Sequence, residues 1–181
     1  MLSILEYGIV FLVGFLAKFT DELIDKKNDL TPLLKYFTGV FCGVLAGYLI
    51  LADSALATLI LAVIVGNLFF GKINNAHMLA VACILIMLIF LGTPRINLLL
   101  FSVFTLFAWT DEFLDKKNVF EIPKPLDTFL SQRISLELIA AVISIYTFNL
   151  TYFIAIMCFD ISYNLTGKIL KAFNFPPSVR E

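Results

Sequence analysis

The sequence predicts an all-α, polytopic membrane protein with seven transmembrane helices, arranged as two parallel three-helix repeats plus a linker helix. Three observations lead to this fold class. The 181 residues are 60% hydrophobic and only 15% charged, and their mean hydropathy of +0.95 exceeds what a soluble core of this size requires. The uncharged runs are long enough to cross a hydrocarbon layer about 30 Å thick. Finally, one acidic signature occurs twice, each time directly after an apolar run.

The predicted spans are helices because backbone groups in hydrocarbon must be hydrogen-bonded within their own segment. Tight turns are expected at Asp53 and at Asn149-Leu150, and the breaker Gly92-Thr93-Pro94-Arg95 separates the fourth span from the fifth. The seven spans lie near residues 3–19, 34–51, 54–72, 77–92, 96–110, 134–149 and 151–170.

The distribution of positive charge predicts the orientation in the membrane. All lysines and arginines except Lys18 and Arg95 lie in or beside the loops after spans one, three, five and seven. Such loops are normally cytoplasmic, so we expect a multi-pass cell-membrane protein with its N-terminus outside and its C-terminus and acidic signatures inside. A net charge of -1 with no basic cluster outside these loops argues against a nucleic-acid partner.

The repeated signature defines the predicted domain organisation. Thr20-Asp21-Glu22-Leu23-Ile24-Asp25-Lys26-Lys27-Asn28 recurs as Thr110-Asp111-Glu112-Phe113-Leu114-Asp115-Lys116-Lys117-Asn118, and the motif around Asn67 recurs around Asn164. The offset is four spans, so both repeats cross the membrane in the same sense. We therefore expect a first repeat at 1–75, a linker helix at 76–93 and a second repeat at 94–181.

The signature residues have the chemistry of a metal-bound phosphate site. Residues four apart on a helix share a face, so Asp21 lies above Asp25 and Asp111 above Asp115, and Asp29 extends the first row. Carboxylate rows suit hard cations such as Mg²⁺, which often bridge to phosphate. The adjacent lysines would meet the remaining phosphate charge, and the metal would make a diphosphate a better leaving group. These lysines are Lys26, Lys27, Lys116 and Lys117.

The row Asp21-Glu22-x-x-Asp25-x-x-x-Asp29 and the segment from Lys124-Pro125-Leu126 to Ser131-Gln132-Arg133-Ile134-Ser135-Leu136-Glu137 resemble the UbiA superfamily of intramembrane prenyltransferases. The resemblance implies that a prenyl diphosphate is held through Mg²⁺, with its isoprenoid tail in a lipid-facing tunnel, and that the prenyl group passes to an acceptor. The implied catalytic residues are Asp21, Asp25, Asp111 and Asp115. The implied metal ligands are these four with Glu22, Asp29 and Glu112. The implied diphosphate-binding residues are the four lysines and Arg133.

Asp160 is the other polar residue for which we predict a function, because an ionised carboxylate within a span is costly unless it is paired or hydrated. Asn164 is on its own helix and Asn67 on the matching helix of the other repeat. We expect these three residues to bind substrate in a polar cavity between the repeats. The alternative is a hydrogen bond between helices that only stabilises their packing.

Other interpretations remain open from the sequence. The signatures are also consistent with short surface helices, N-capped by Thr20 and Thr110 and stabilised by pairs such as Glu22–Lys26. Parallel three-helix repeats are also typical of small-solute carriers, and an ion carrier or a non-catalytic membrane subunit is a further alternative. The single histidine, His77, is interpreted as a surface residue at a helix start.

Overall fold

The structure is a computed structural model that describes residues 3–25, 31–69, 74–116 and 134–172. Within these ranges the regular structure is entirely α-helical, so the predicted all-α class with seven helices is confirmed. The helices are α1 (Ile4–Asp25), α2 (Thr31–Ala52), α3 (Ser54–Phe69), α4 (Asn75–Leu91), α5 (Leu98–Lys116), α6 (Ile134–Tyr146) and α7 (Thr151–Ala172).

The helix ends follow local capping chemistry. Asp53 alone separates α2 from α3, and its Oδ1 accepts the backbone N–H groups of Ala55 at 2.8 Å and Leu56 at 3.0 Å. α4 ends at Leu91 and is followed by Gly92, whose φ of 122° is accessible only to glycine at low cost. The predictions of a turn at Asp53 and a break after the fourth span are confirmed.

α1 and α5 continue into the two signatures, so the interpretation of these segments as separate, N-capped surface helices is wrong. Thr20 is buried inside α1, with its Oγ1 2.7 Å from the carbonyl oxygen of Leu16 and 2.9 Å from Oγ1 of Thr38. Thr110 likewise donates to the carbonyl oxygen of Phe107 at 2.8 Å. No glycine or proline stands between either span and its signature, so nothing stops the helix there.

Small residues set the closest helix contacts. A Cβ atom added to Gly39 of α2 would lie 2.5 Å from the carbonyl oxygen of Ala76, and one added to Gly43 would lie 2.5 Å from that of Ala80. Residues four apart share one face, so α2 and α4 meet backbone to backbone along a Gly-x-x-x-Gly stripe. This stripe is present in the sequence and is the signal that could have predicted the pairing of α2 with α4.

The other helices pack around a shared apolar core. α1 packs on α2 and α7, α3 packs on α2, α5 and α7, and α6 packs on α5 and α7. Phe104 of α5 is fully buried, and its ring centroid is 5.4 Å from that of Tyr152 on α7. The core therefore joins residues from both halves of the chain.

Alternate helix ends lie at the same end of the bundle. The end of α1 meets the start of α2 through Thr20 and Thr38, and the end of α5 meets the start of α6 through Asp111 and Ser135. At the opposite end, the backbone N–H of Asn97 donates to Oγ1 of Thr58. We call the end that contains Asp21 and Asp111 the carboxylate end.

Within the described part of the chain, two helical segments are both long and apolar enough to cross a membrane, Leu33–Ala52 and Thr151–Ala172. Four shorter apolar segments lie in α3, α4, α5 and α6. Core helices of soluble proteins can meet the same criterion, so this finding is weak support. The placement of the bundle in a membrane stays a prediction.

Candidate functional site

A cavity of about 500 Å³ lies within the bundle. Its walls come from all seven helices, and most of the lining is aliphatic. Among the residues that the structure describes, the polar and ionisable side chains in the lining, apart from the Cys42 thiol, are those of Asp21, Asn67, His77, Asp111, Asp160 and Tyr163.

The cavity is polar at one end and apolar at the other. Asp21 and Asn67 lie near the C-terminal ends of α1 and α3, whereas Val10 and Leu56 line the same walls farther from the carboxylate end. Asp21 and Val10 are separated by eleven residues on one helix, so the cavity extends about 16 Å along α1 at 1.5 Å per residue.

Asp21 joins three helices at the polar end. Its Oδ2 accepts a hydrogen bond of 2.7 Å from the hydroxyl of Tyr163 on α7. Its Oδ1 lies 3.6 Å from Nε2 of His77 on α4. About a third of the Asp21 side chain remains exposed, so this carboxylate is still open to the cavity.

His77 is oriented by the residue that caps its own helix. Oδ1 of Asn74 accepts the backbone N–H groups of Ala76 and His77, each at 3.1 Å, and lies 2.9 Å from Nδ1 of the His77 ring. This contact of Nδ1 with Asn74 orients the ring so that Nε2 faces Asp21.

The interpretation of His77 as a surface residue is therefore wrong, although it does lie at a helix start. Only a quarter of its side chain is exposed, and the side chain lines the cavity. The sequence places His77 next to Asn74 and Asn75 but contains no sign that α1 lies against it.

Asp111 has a different environment from its counterpart in the first signature. It is buried, and its carboxylate accepts the backbone N–H of Leu136 at 2.9 Å and that of Ser135 at 3.3 Å, as well as the Ser135 hydroxyl. A negative charge at the first turn of α6 is stabilised by the unpaired N–H groups there. Asp111 thus caps α6 from the neighbouring helix while it also lines the cavity.

Glu22, a predicted metal ligand, does not line the cavity. It pairs with Lys18 one turn earlier on α1 at 3.0 Å. Lys18 also places its Nζ 5.2 Å from the centroid of the Tyr163 ring. Two neighbouring acids of the first signature therefore have different surroundings, because Asp21 lines the cavity and Glu22 pairs with Lys18.

Asp160 lines two cavities. Besides the central cavity it borders a second one of about 270 Å³ that contains Glu137, Asn164 and Lys168. The structure thus brings Asp160 together with Asn67 in the central cavity, whereas Asn164 lines only the second. Tyr163 also lines the central cavity, on the same helix as Asp160.

Several predicted site residues lie outside the described part of the chain. These are Lys26, Lys27, Asp29, Lys117 and Arg133, together with the side chains of Asp25, Glu112, Asp115 and Lys116. Among the side chains that are described, no three His, Cys, Asp or Glu residues form a group that could hold a metal ion.

Comparison of the chain with protein-family models, with curated proteins and with solved structures finds no match.

Proposed function

We propose that the protein is an integral membrane prenyltransferase-like protein that binds an isoprenoid diphosphate, or another lipid phosphate, in the central cavity. One observation carries the proposal: Asp21 and Asp111, the first acids of the duplicated signatures, line the same cavity, whose remaining walls are largely apolar. The polar head would lie at the carboxylate end and the apolar tail along the helices. Such a division of polarity is what an amphiphile requires.

A membrane location is supported by the outer surface of the bundle. Large apolar side chains are exposed on the outside of α4 and α6, among them Ile89 (76% exposed), Phe90 (81% exposed) and Ile145 (71% exposed). Exposed apolar surface on this scale is unfavourable in water and favourable against lipid. The Gly39 and Gly43 stripe adds a contact that is common between helices in membranes.

The two-repeat organisation is supported by the packing of the helices. If α1, α2 and α3 of the first repeat correspond to α5, α6 and α7 of the second, then the packing of α1 on α7 should correspond to the packing of α5 on α3. Both pairs are observed. The register agrees as well, because Tyr163 contacts Lys18 in one pair and Gly66 contacts Ala108 at the corresponding positions of the other. A duplicated bundle of this kind would form its binding site between the repeats.

Prenyl transfer is the reaction that this proposal favours, with Mg²⁺ as the metal that would neutralise the diphosphate. Among the predicted metal ligands whose side chains are described, Asp21 is the carboxylate best placed to face a headgroup. Asp111 is bonded to the start of α6, and Glu22 is paired with Lys18. These residues alone do not form a metal site. The proposal therefore needs further ligands from the signature positions that lie outside the described part of the chain.

A second candidate function is transport of a small solute or ion, for which Asp160 is the specific observation. Its side chain borders both the central and the second cavity, so it lies where a solute would pass from one to the other. Transport would appear as uptake into sealed vesicles without consumption of a prenyl diphosphate.

The test is binding of a non-hydrolysable prenyl diphosphate analogue to the purified full chain in detergent, with and without Mg²⁺. We expect Mg²⁺-dependent binding that falls at least tenfold in Asp21→Asn. The matched control is Glu6→Gln, which removes a carboxylate from the other end of α1. Absence of binding to the wild-type protein, or equal binding by Asp21→Asn and the control, would reject the proposal.

A further inference from the structure

We infer that the second cavity, between α6 and α7, binds a zwitterion that carries a primary ammonium group and a phosphate, the chemistry of the phosphatidylethanolamine headgroup. This site is separate from the central cavity, so it does not depend on prenyl transfer. The charges that line the second cavity, their spacing and their position in the bundle all favour this ligand.

Two carboxylates line the second cavity at the same level of the bundle, one on each helix. α6 and α7 run in opposite directions and are joined near their turn, where the backbone N–H of Phe153 donates to Oγ of Ser144 at 3.1 Å. Glu137 lies seven residues before Ser144, and Asp160 lies seven residues after Phe153. Both are therefore about 10 Å from that hydrogen bond along their helices. The cavity thus has an acidic group on each wall, suited to an ammonium ion.

A positive group lies nearer the end of α7. Asp160, Asn164 and Lys168 are four residues apart, so they form one row on the helix, and all three line the second cavity. Lys168 is eight residues beyond Asp160, or about 12 Å along the helix axis. A lysine side chain spans about 6 Å when extended, and helical side chains lean toward the N-terminus. The ammonium group of Lys168 can therefore come within about 6 Å of the level of the two carboxylates.

This spacing selects the class of zwitterion. In phosphoethanolamine four bonds separate the nitrogen from the phosphorus, which gives about 5 Å when the chain is extended. In an α-amino acid two bonds separate the nitrogen from the carboxylate carbon, or about 2.5 Å, which is too short to reach both groups. The N–H donors of Lys168 and Asn164 suit the phosphate oxygens, and the carboxylates accept the N–H groups of the ammonium.

The lining of the second cavity also distinguishes between kinds of ammonium. A primary ammonium donates hydrogen bonds to carboxylate oxygens, whereas a quaternary ammonium has none to donate and is recognised by aromatic rings. None of the described residues that line the second cavity is aromatic. The site therefore favours an ethanolamine over a choline headgroup.

The position of the second cavity favours a lipid as the source of this headgroup. Glu137 is in the first turn of α6, so the cavity lies at the carboxylate end of the bundle. Beside the polar row, Met157, Ile161 and Leu165 form an apolar row that begins three residues deeper, or about 4.5 Å. Ile161 and Leu165 are 53% and 46% exposed. The cavity of about 270 Å³ has the volume of about nine water molecules, which accommodates the headgroup while the acyl chains lie along the apolar row.

The experiment measures binding of short-chain phosphatidylethanolamine, phosphatidylcholine and phosphatidylglycerol to the purified full chain in detergent, by native mass spectrometry. We expect phosphatidylethanolamine to bind at least tenfold more tightly than either of the others. Lys168→Gln removes the positive partner of the phosphate and should weaken this binding about tenfold. Glu137→Gln should weaken binding of phosphatidylethanolamine but not of phosphatidylglycerol, which has no ammonium group.

The matched control is Lys171→Gln, because Lys171 is exposed in the last turn of α7 and does not line the second cavity. It should leave all three affinities unchanged. Equal binding of the three lipids, or equal effects of Lys168→Gln and Lys171→Gln, would overturn the inference. If Glu137→Gln does not fold, Lys168→Gln with its control still decides the question, since Lys168 is exposed.

Two further measurements identify the source of the ligand and separate this site from the proposed function. Weaker binding of free phosphoethanolamine than of the lipid would support a lipid ligand, and equal binding with the same dependence on Lys168 would support a soluble zwitterion of the same class. Lys168 does not line the central cavity. Lys168→Gln should therefore leave binding of the prenyl diphosphate analogue unchanged, so either proposal can fail without the other.

Discussion

Asp21 and Asp111 occupy the same position in the two copies of the repeated signature, but their carboxylates have different partners in the structure. Asp21 is bonded to the Tyr163 hydroxyl and faces His77, and it remains partly exposed. Asp111 is buried and satisfies the first N–H groups of α6. A buried carboxylate that accepts several hydrogen bonds stabilises the fold, whereas a partly exposed carboxylate can still bind a ligand.

Stability measurements should separate these two roles. Asp111→Ala leaves the N–H groups of Ser135 and Leu136 without their acceptor in a buried place, and we expect it to lower the free energy of unfolding by about 2 kcal/mol. Asp21→Ala removes one side-chain hydrogen bond and should cost about 1 kcal/mol or less. Chemical unfolding in detergent, followed by the fluorescence of Trp109, measures both. Equal losses in the two variants would contradict the distinction.

The sequence predicted the acidic residues of the candidate site better than their neutral partners. Duplication made Asp21 and Asp111 visible, because two copies of a charged pattern in an apolar chain are easy to recognise. Tyr163 and His77 carry no such mark, since their roles depend on the approach of α7 and α4 to α1. Contacts between distant helices of this kind are not contained in local sequence patterns.

At the level of the helices, hydropathy predicted the number of elements and most of their ends, but it placed the ends of α1 and α5 too early. Charged residues mark the limit of an apolar run, not the limit of a helix, and α1 continues to Asp25 because no helix breaker intervenes. For α6 the predicted span, 134–149, ends later than the observed helix. That helix ends at Tyr146, and Phe148 takes a positive φ of 52° in the turn before α7.

Two glycines of α1 offer a matched test of helix packing. A Cβ at Gly14 would lie 2.5 Å from the carbonyl oxygen of Phe159 on α7, whereas one at Gly8 would meet nothing within 4 Å. Gly14→Ala should force the two helices apart and destabilise the protein by about 1–3 kcal/mol. Gly8→Ala should stabilise it by about 0.5–1 kcal/mol through helix propensity.

Thermal unfolding of the two glycine variants in the same detergent checks these values. The wild-type chain is the reference, and the sign of the change is the deciding quantity. A Gly14→Ala protein as stable as the Gly8→Ala protein would show that α1 and α7 do not approach as closely as described.

For the whole molecule, the repeat seen in the sequence has a counterpart in the packing. The pair α1–α7 corresponds to α5–α3, and α3 and α7 meet each other between the halves. α4 lies outside this relation and packs on α2, and its role as a linker between repeats stays a prediction. The number and order of the helices could be predicted from the sequence. The sequence could not predict which helices of one half pack on helices of the other, because those contacts join residues that are far apart in the chain.

The last prediction concerns the proposed membrane topology, in which successive spans cross in opposite directions, so that α4 begins at the cytoplasmic side and ends outside. Replacing Cys42, Cys83 and Cys158 by alanine leaves a chain in which single cysteines can be labelled from either side. A membrane-impermeant maleimide should label Thr93→Cys from outside and Asn75→Cys only after the membrane is opened, since positive loops face the cytoplasm. Ile89→Cys, exposed on the apolar face of α4, is the control and should react poorly in both conditions, because thiolates do not form in hydrocarbon. Labelling of Asn75→Cys and Thr93→Cys from the same side would mean that α4 does not cross the membrane.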